Sequence, residues 1–231
     1  MDATRNHSPP VALLLALGLV VCLALYYRPV RTGFLVPYES SAMYYLRCIA
    51  ESQEDLLATG LIDCDRDGRP EYGSMAALTG SVPVRPGPPD ADDRLPRGMF
   101  DMAWLPKRFS YSTDGVVARN CYNFQVFLPG SGSAWLPEQP GGGAALRVDA
   151  DRAEHQWLCY AWPVHSNCPY TNHVYVINEQ GLLLKSAMQT EWYAGVIKPP
   201  AGRAAFCRRD GGWQLAVNEV DDLGNLWTLV P

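Results

Sequence analysis

Apolar residues recur at Met43, Leu46, Ile49, Ala50, Leu56 and Leu57, with Arg47, Glu51, Glu54 and Asp55 set between them. This rhythm marks one face of an amphipathic helix. Glu39-Ser40-Ser41 offers its N-cap and Gly60 its stop. Ser74 to Leu78 predicts a further helical turn closed by Gly80. Beyond the proline-rich stretch 81–98 the pattern becomes extended. Tyr122 to Leu128 predicts a strand ending at Pro129-Gly130, and Gln156 to Val164 an aromatic-rich strand. His173 to Asn178 and Gly181 to Lys185 predict a hairpin turning at Glu179-Gln180-Gly181. Trp213 to Val217 and Leu226 to Val230 predict two terminal strands around 222–225. Helix first and antiparallel strands afterwards define an α+β domain.

The longest apolar run lies before all of these. Val11 to Tyr27 is free of charge and flanked by Arg5, Arg28 and Arg31. Its length is the short end for a membrane span, and no small-x-small cleavage site follows it, so it predicts an uncleaved signal anchor. The expected organisation is a tail over 1–10, a transmembrane anchor over 11–27, a linker over 28–38 broken by Pro29, Gly33 and Pro37, and one domain over 39–231.

Composition narrows the partners. A net charge of -5 argues against nucleic acid. Outside the apolar run, Cys48, Cys64, Cys121, Cys159, Cys168 and Cys207 make an even set, which predicts disulfides of unassigned connectivity in an oxidising compartment. The arginines after the apolar run point to a cytoplasmic C-terminus. The cysteines outweigh them and face the domain outward from a single-pass bacterial inner-membrane anchor.

The densest candidate chemistry is the loop Asp63-Cys64-Asp65-Arg66-Asp67-Gly68-Arg69-Pro70-Glu71. Carboxylates at alternate positions followed by glycine match the first half of a calcium loop, with side-chain oxygens from Asp63, Asp65 and Asp67, the Arg69 carbonyl, and Glu71 at the ninth position. Ser74 stands where the bidentate Glu of an EF-hand belongs. The expectation is a structural calcium site rather than a sensor.

Set in its surroundings, this loop resembles a group of bacterial prepilin-like, type II secretion pseudopilin-like proteins. The resemblance runs through Ala42, Leu46, Ile62, Asp63, Asp65, Asp67, Gly68, Glu71, Tyr72, Gly73, Leu78 and Gly80. It continues in Tyr122 to Gly130, in Cys159-Tyr160-Ala161-Trp162-Pro163 and in Val174 to Gly181. It implies a pilin-like head with a structural or adaptor role in an envelope or secretion assembly. The prepilin cleavage sequence is missing, since Gly33-Phe34 follows the apolar run instead of preceding it. The head is therefore expected without its polymerising stalk.

Other constellations are weaker. Cys159, His165, Cys168 and His173 lie close together, but their spacing is not that of a zinc site. Nucleophile elbow, HExxH, P-loop and dinucleotide fingerprints are missing, and the carboxylate pair Glu138 and Asp149 has nothing to single it out, so no enzyme is expected. Trp157, Tyr160, Trp162 and Tyr170 form an aromatic cluster. Core packing is its ordinary role. The alternative is an exposed platform for a glycan or protein, in an extracytoplasmic binding module.

Overall fold

The computed structural model describes residues 38–81, 105–106, 109, 112–113, 115–139, 147–166, 171, 173–187 and 193–231. A first helix, α1, runs over 38–59 and ends at Gly60, whose φ of 68° places it in the left-handed region. Its apolar stripe Ala42, Leu46, Ile49 and Leu56 is fully buried. Gln53 sits in the same stripe, and its amide donates to the Gly73 carbonyl (2.7 Å) while accepting from the Gly73 N–H (2.9 Å). Gly73 also lets the Leu56 side chain pack closely, since a Cβ would lie 2.5 Å from Leu56 Cδ2 and force it to shift. α2, Met75–Leu78, is capped by the Ser74 hydroxyl, which accepts from Ala77 N.

The sheet is antiparallel throughout. Its strands are β1 (Ser112–Thr113), β2 (Val116–Arg119), β3 (Tyr122–Pro129), β4 (Trp135–Pro137), β5 (Leu158–Pro163), β6 (Val174–Asn178) and β7 (Leu183–Ser186). The short helix α3, Ala150–Ala153, lies between β4 and β5. A separate two-stranded ribbon pairs β8 (Phe206–Arg209) with β9 (Gly212–Leu215), and β10 (Glu219–Val220) and β11 (Leu226–Leu229) rejoin the main sheet. The spatial order is β1-β2-β3-β5-β6-β7-β11-β10, with β4 also on β3. β2 takes Tyr122 to Phe124 of β3 and β4 takes Phe127 to Pro129, so the two share one edge of that strand while β5 holds the other.

Strand alternation produces two cores. Phe124, Val126, Cys159, Ala161, Tyr175 and Ile177 pack against α1. Phe127, Leu158, Tyr160, Trp162, Val176 and Trp227 face the opposite way and are covered by Tyr193, Ala204, Ala205, Phe206 and Ala216. Both faces of the central strands are thus buried. β5 and β6 accordingly read as near-continuous apolar runs, whereas β3 buries Asn123 and Gln125 among its apolar residues.

Several expectations are corrected here. Among the described residues no helix is long and apolar enough to cross a membrane, and α1 carries Glu39, Arg47, Glu51, Glu54 and Asp55. The expected span 11–27 lies outside the described residues. The observed architecture is an α+β domain without a membrane-crossing helix among those residues. The anchored architecture, its membrane partner and the inner-membrane placement lose their structural support. The disulfides are corrected too, since Cys48, Cys64, Cys121, Cys159 and Cys207 are all thiols, while Cys168 lies outside the described residues. Cys159 acts as a small apolar side chain, wholly buried in β5, where desolvation pushes its thiol pKa up.

Candidate metal centre

The acidic loop is held at both ends by backbone hydrogen bonds. Glu71 N donates to Ile62 O (2.8 Å), and Tyr72 N donates to Ala153 O (2.9 Å). The second bond brings α3 beside the loop. Inside it, the aspartates order the turn: Asp63 Oδ2 accepts from Gly68 N (3.2 Å), Asp65 Oδ1 from Asp67 N (3.3 Å), and Asp67 Oδ1 from Arg69 N (2.8 Å). Side-chain oxygens satisfying amides two residues onward are the usual work of Asp in turns. Arg66 and Gly68 take positive φ, 64° and 89°, which closes the curve.

Four carboxylates converge at this junction. Asp65 and Asp67 from the loop and Asp151 and Glu154 from α3 and its C-cap each offer an oxygen, all within 4.8 Å of one another. This group is able to hold a metal ion. All four donors are hard oxygens, the set that oxygen-seeking cations such as magnesium, calcium and manganese take. Asp65, Asp67 and Asp151 are exposed, whereas the Glu154 side chain is 3% exposed. Its Oε2 is buried and accepts no hydrogen bond. The nearest basic atoms are His155 Nε2 at 3.3 Å and Arg69 Nη1 at 3.6 Å. Arg69 also lies 3.7 Å from Asp67 Oδ2, so one guanidinium spans loop and helix.

Of the residues expected at the site, Asp65 and Asp67 join the cluster. Glu71 does not. It is 1% exposed, and its Oε1 accepts from Cys64 N (2.5 Å), stapling the loop from within. Asp63 holds Gly68, with its other oxygen buried and without a hydrogen bond. Arg69 contributes its side chain as a counter-charge. Asp151 and Glu154 were not expected. Their signal is a carboxylate pair three residues apart on one helical face, directly after the Asp149 cap.

The remaining candidates separate. Cys159 faces the α1 core, His165 is exposed, and His173 Nδ1 lies 2.7 Å from Glu39 Oε1, tying β6 to the start of α1. The proposed carboxylate pair is spent on helix ends, with Glu138 at the start of α2 and Asp149 capping α3. Trp157, Tyr160 and Trp162 are fully buried, which corrects the exposed platform, and Tyr170 lies outside the described residues. Trp157 packs in the α1 core beside Tyr72, and Tyr160 and Trp162 lie under the segment over the second face of the sheet. Tyr160 Oη donates to Gly202 O and accepts from Ala205 N, and Trp162 Nε1 donates to Gly195 O.

Compared with known proteins, the chain matches no family model, no curated protein and no solved structure.

Proposed function

We propose that this chain is a non-catalytic binding module of the pilin-like head type, braced by one calcium ion between the 63–71 loop and α3. The observation that carries the calcium brace is the Glu154 carboxylate, buried within an acidic quartet and accepting no hydrogen bond at Oε2. A buried carboxylate is costly unless a charge or hydrogen bonds offset it. A divalent cation would also relieve the repulsion among its three neighbours. Calcium is favoured over magnesium because it accepts irregular sets of 6–8 oxygens, including water, whereas magnesium demands a near-ideal octahedron. Three exposed aspartates beside one buried glutamate leave solvent free to complete such an irregular shell.

The head-type reading rests on the resemblance through Glu71-Tyr72-Gly73 and Cys159 to Pro163, and the order of helix then antiparallel strands agrees with it. The binding role draws on the half-buried Trp135 and Trp213, which remain at the surface when Trp157, Tyr160 and Trp162 go into the core. Thermal unfolding in EDTA, calcium and magnesium tests the brace. A rise in Tm at millimolar calcium, smaller in magnesium, is expected; an unchanged Tm in calcium would remove the ion from the account.

A further inference from the structure

β2 and β3 join through a two-residue turn, Asn120-Cys121, set between the register partners Arg119 and Tyr122. Both turn residues take positive φ, 45° and 66°, as a type I′ hairpin requires. One step beyond the last β3–β5 pair, Val164 N donates to Cys121 O (2.9 Å), so β5 leads into His165 beside this turn. Asn120 Nδ2 donates to Tyr45 Oη (3.4 Å), which ties the turn to α1, and the Arg119 guanidinium carbon lies 5.8 Å from the Phe109 ring centroid. Ala118, Arg119, Asn120, Cys121, Val164 and His165 line an open cavity of about 330 Å³. Among the described residues neither Arg119 nor His165 has a carboxylate within ion-pair distance. Two donors here also lack acceptors. Arg119 Nε is buried and makes no hydrogen bond. The same holds for Nδ2 of Asn123, which is 2% exposed and shares a sheet face with its register partner Ala118 in the cavity wall.

We infer that Cys121 is a mixed-disulfide site for small disulfides bearing carboxylates, with the captured half lodged in this cavity. The inference is independent of the calcium brace and starts from differences among the five described thiols. Cys159 is fully buried, and desolvation pushes its thiol pKa up. Burial, and then a hydrogen bond with Glu219, raises that of Cys207. Cys48 and Cys64 pack against the α1 core, and Cys64 is flanked by Asp63 and Asp65. Cys121 instead lines an open cavity between two basic side chains and is half-buried. In the exchange step the Cys121 thiolate attacks one sulfur of the small disulfide. A new S–S bond forms to that sulfur, the old S–S bond breaks, and the other half leaves as a thiolate that takes up the proton Cys121 released. The small disulfide is the oxidant, and no further co-reactant is needed. The Arg119 guanidinium presents a planar fork of donors suited to a carboxylate on the captured half. Charge complementarity thus favours an anionic disulfide over a cationic one. The cavity is at the low end of small-molecule clefts in volume, which suits half of a small disulfide better than a protein chain.

The test is reaction of the reduced full chain with oxidised glutathione or with cystamine at low salt, followed over time by peptide mass mapping. A glutathione adduct is expected on Cys121 before any other cysteine, and dithiothreitol should release it. At Cys121 oxidised glutathione should outpace the cationic cystamine by about tenfold, and high salt should narrow that gap. Arg119→Gln with His165→Gln should close the gap while Cys121 still reacts. Cys121→Asn, a residue that accepts positive φ, should lose the early adduct with Tm kept within a few degrees. A first adduct on another cysteine of the native chain, or none on Cys121, would overturn the site without recourse to any variant. Cystamine reacting at Cys121 as fast as oxidised glutathione, or a gap unchanged by the double substitution, would overturn the assigned ligand class.

Discussion

Glu138 Oε2 accepts a hydrogen bond from Met75 N (2.7 Å), and its Oε1 accepts one from Ala76 N (2.8 Å). A carboxylate just after β4 thus holds the start of a helix more than sixty residues earlier in the chain, and is itself 5% exposed. Burial raises its pKa to about 7, against the lowering effect of the two amide bonds. The folded state therefore keeps a proton that the unfolded chain releases near the ordinary glutamate value. The resulting stability is fully present below that value and is lost as pH rises through about 7.

Urea unfolding at pH 5 and pH 8 should show this loss in the native chain, at about 1–3 kcal/mol from the size of the shift. Glu138→Gln should flatten the difference between the two pH values. It should also cost about 1–2 kcal/mol at pH 5, because its amide nitrogen cannot accept from one of the two backbone donors. An equal pH dependence in both proteins would show that Glu138 is not its source.

Gly115 faces the backbone that directly follows β4, at Glu138 and Gln139. It has φ of +73°, and a Cβ built on it would lie 1.9 Å from the Glu138 carbonyl oxygen. Neither strain has a flexible side chain to absorb it. Gly115→Ala should lose about 2–3 kcal/mol from combined backbone strain and overlap. Gly132→Ala is the control: its φ is +64° with nothing within 4 Å, so it should lose only the conformational part. A chemical-denaturation midpoint for Gly115→Ala no lower than the control's would refute the close approach.

The fold was largely legible where local pattern and burial agree. The α1 stripe, β3, β5, the β6–β7 hairpin and β11 follow directly from periodicity. β4 and α3 did not, because each is short and sits beside glycine-rich or charged chain whose local signal is that of a loop. Cover on the second sheet face was also hidden. Tyr160 and Trp162 look the same in sequence whether water or the 193–206 segment lies over them. The acidic loop was half legible: its own aspartates were visible, but Asp151 and Glu154 enter through tertiary contacts, the Tyr72 to Ala153 hydrogen bond and the Arg69 to Glu154 ion pair. Sequence spacing carries contacts within a loop and is silent on what the tertiary fold lays beside it.

Asp221 organises the turn between β10 and β11. Its Oδ1 accepts from Leu223 N and Asn225 N, both at 2.8 Å. Its Oδ2 accepts from Trp227 Nε1 (2.8 Å) and Asn225 Nδ2 (3.3 Å). With Asp221 5% exposed and Asn225 and Trp227 fully buried, removing the carboxylate orphans donors that water cannot easily reach. Asp221→Ala should therefore cost about 2–4 kcal/mol in urea unfolding. Asp221→Asn should cost less, since it keeps one acceptor. If alanine and asparagine cost the same, the hydrogen-bond hub is not what stabilises the turn.

The calcium brace makes a prediction whose sign reverses with the ion. Asp151 is exposed on α3 and makes no hydrogen bond or ion pair among the described residues, yet its carboxylate falls within the quartet. In EDTA its repulsion of the other carboxylates opposes its favourable place in the first turn of α3, so Asp151→Asn should leave Tm nearly unchanged. In millimolar calcium the native chain should gain about 2–6 °C, from linkage to a site of submillimolar affinity. Asp151→Asn should lose most of that gain. Glu154→Gln should abolish it and leave Tm in EDTA unchanged or raised, because it removes a buried charge from the repelling quartet. Differential scanning calorimetry of the three proteins with and without calcium separates the two effects. A variant that loses stability equally in both conditions would mark Asp151 as an ordinary surface residue rather than a ligand.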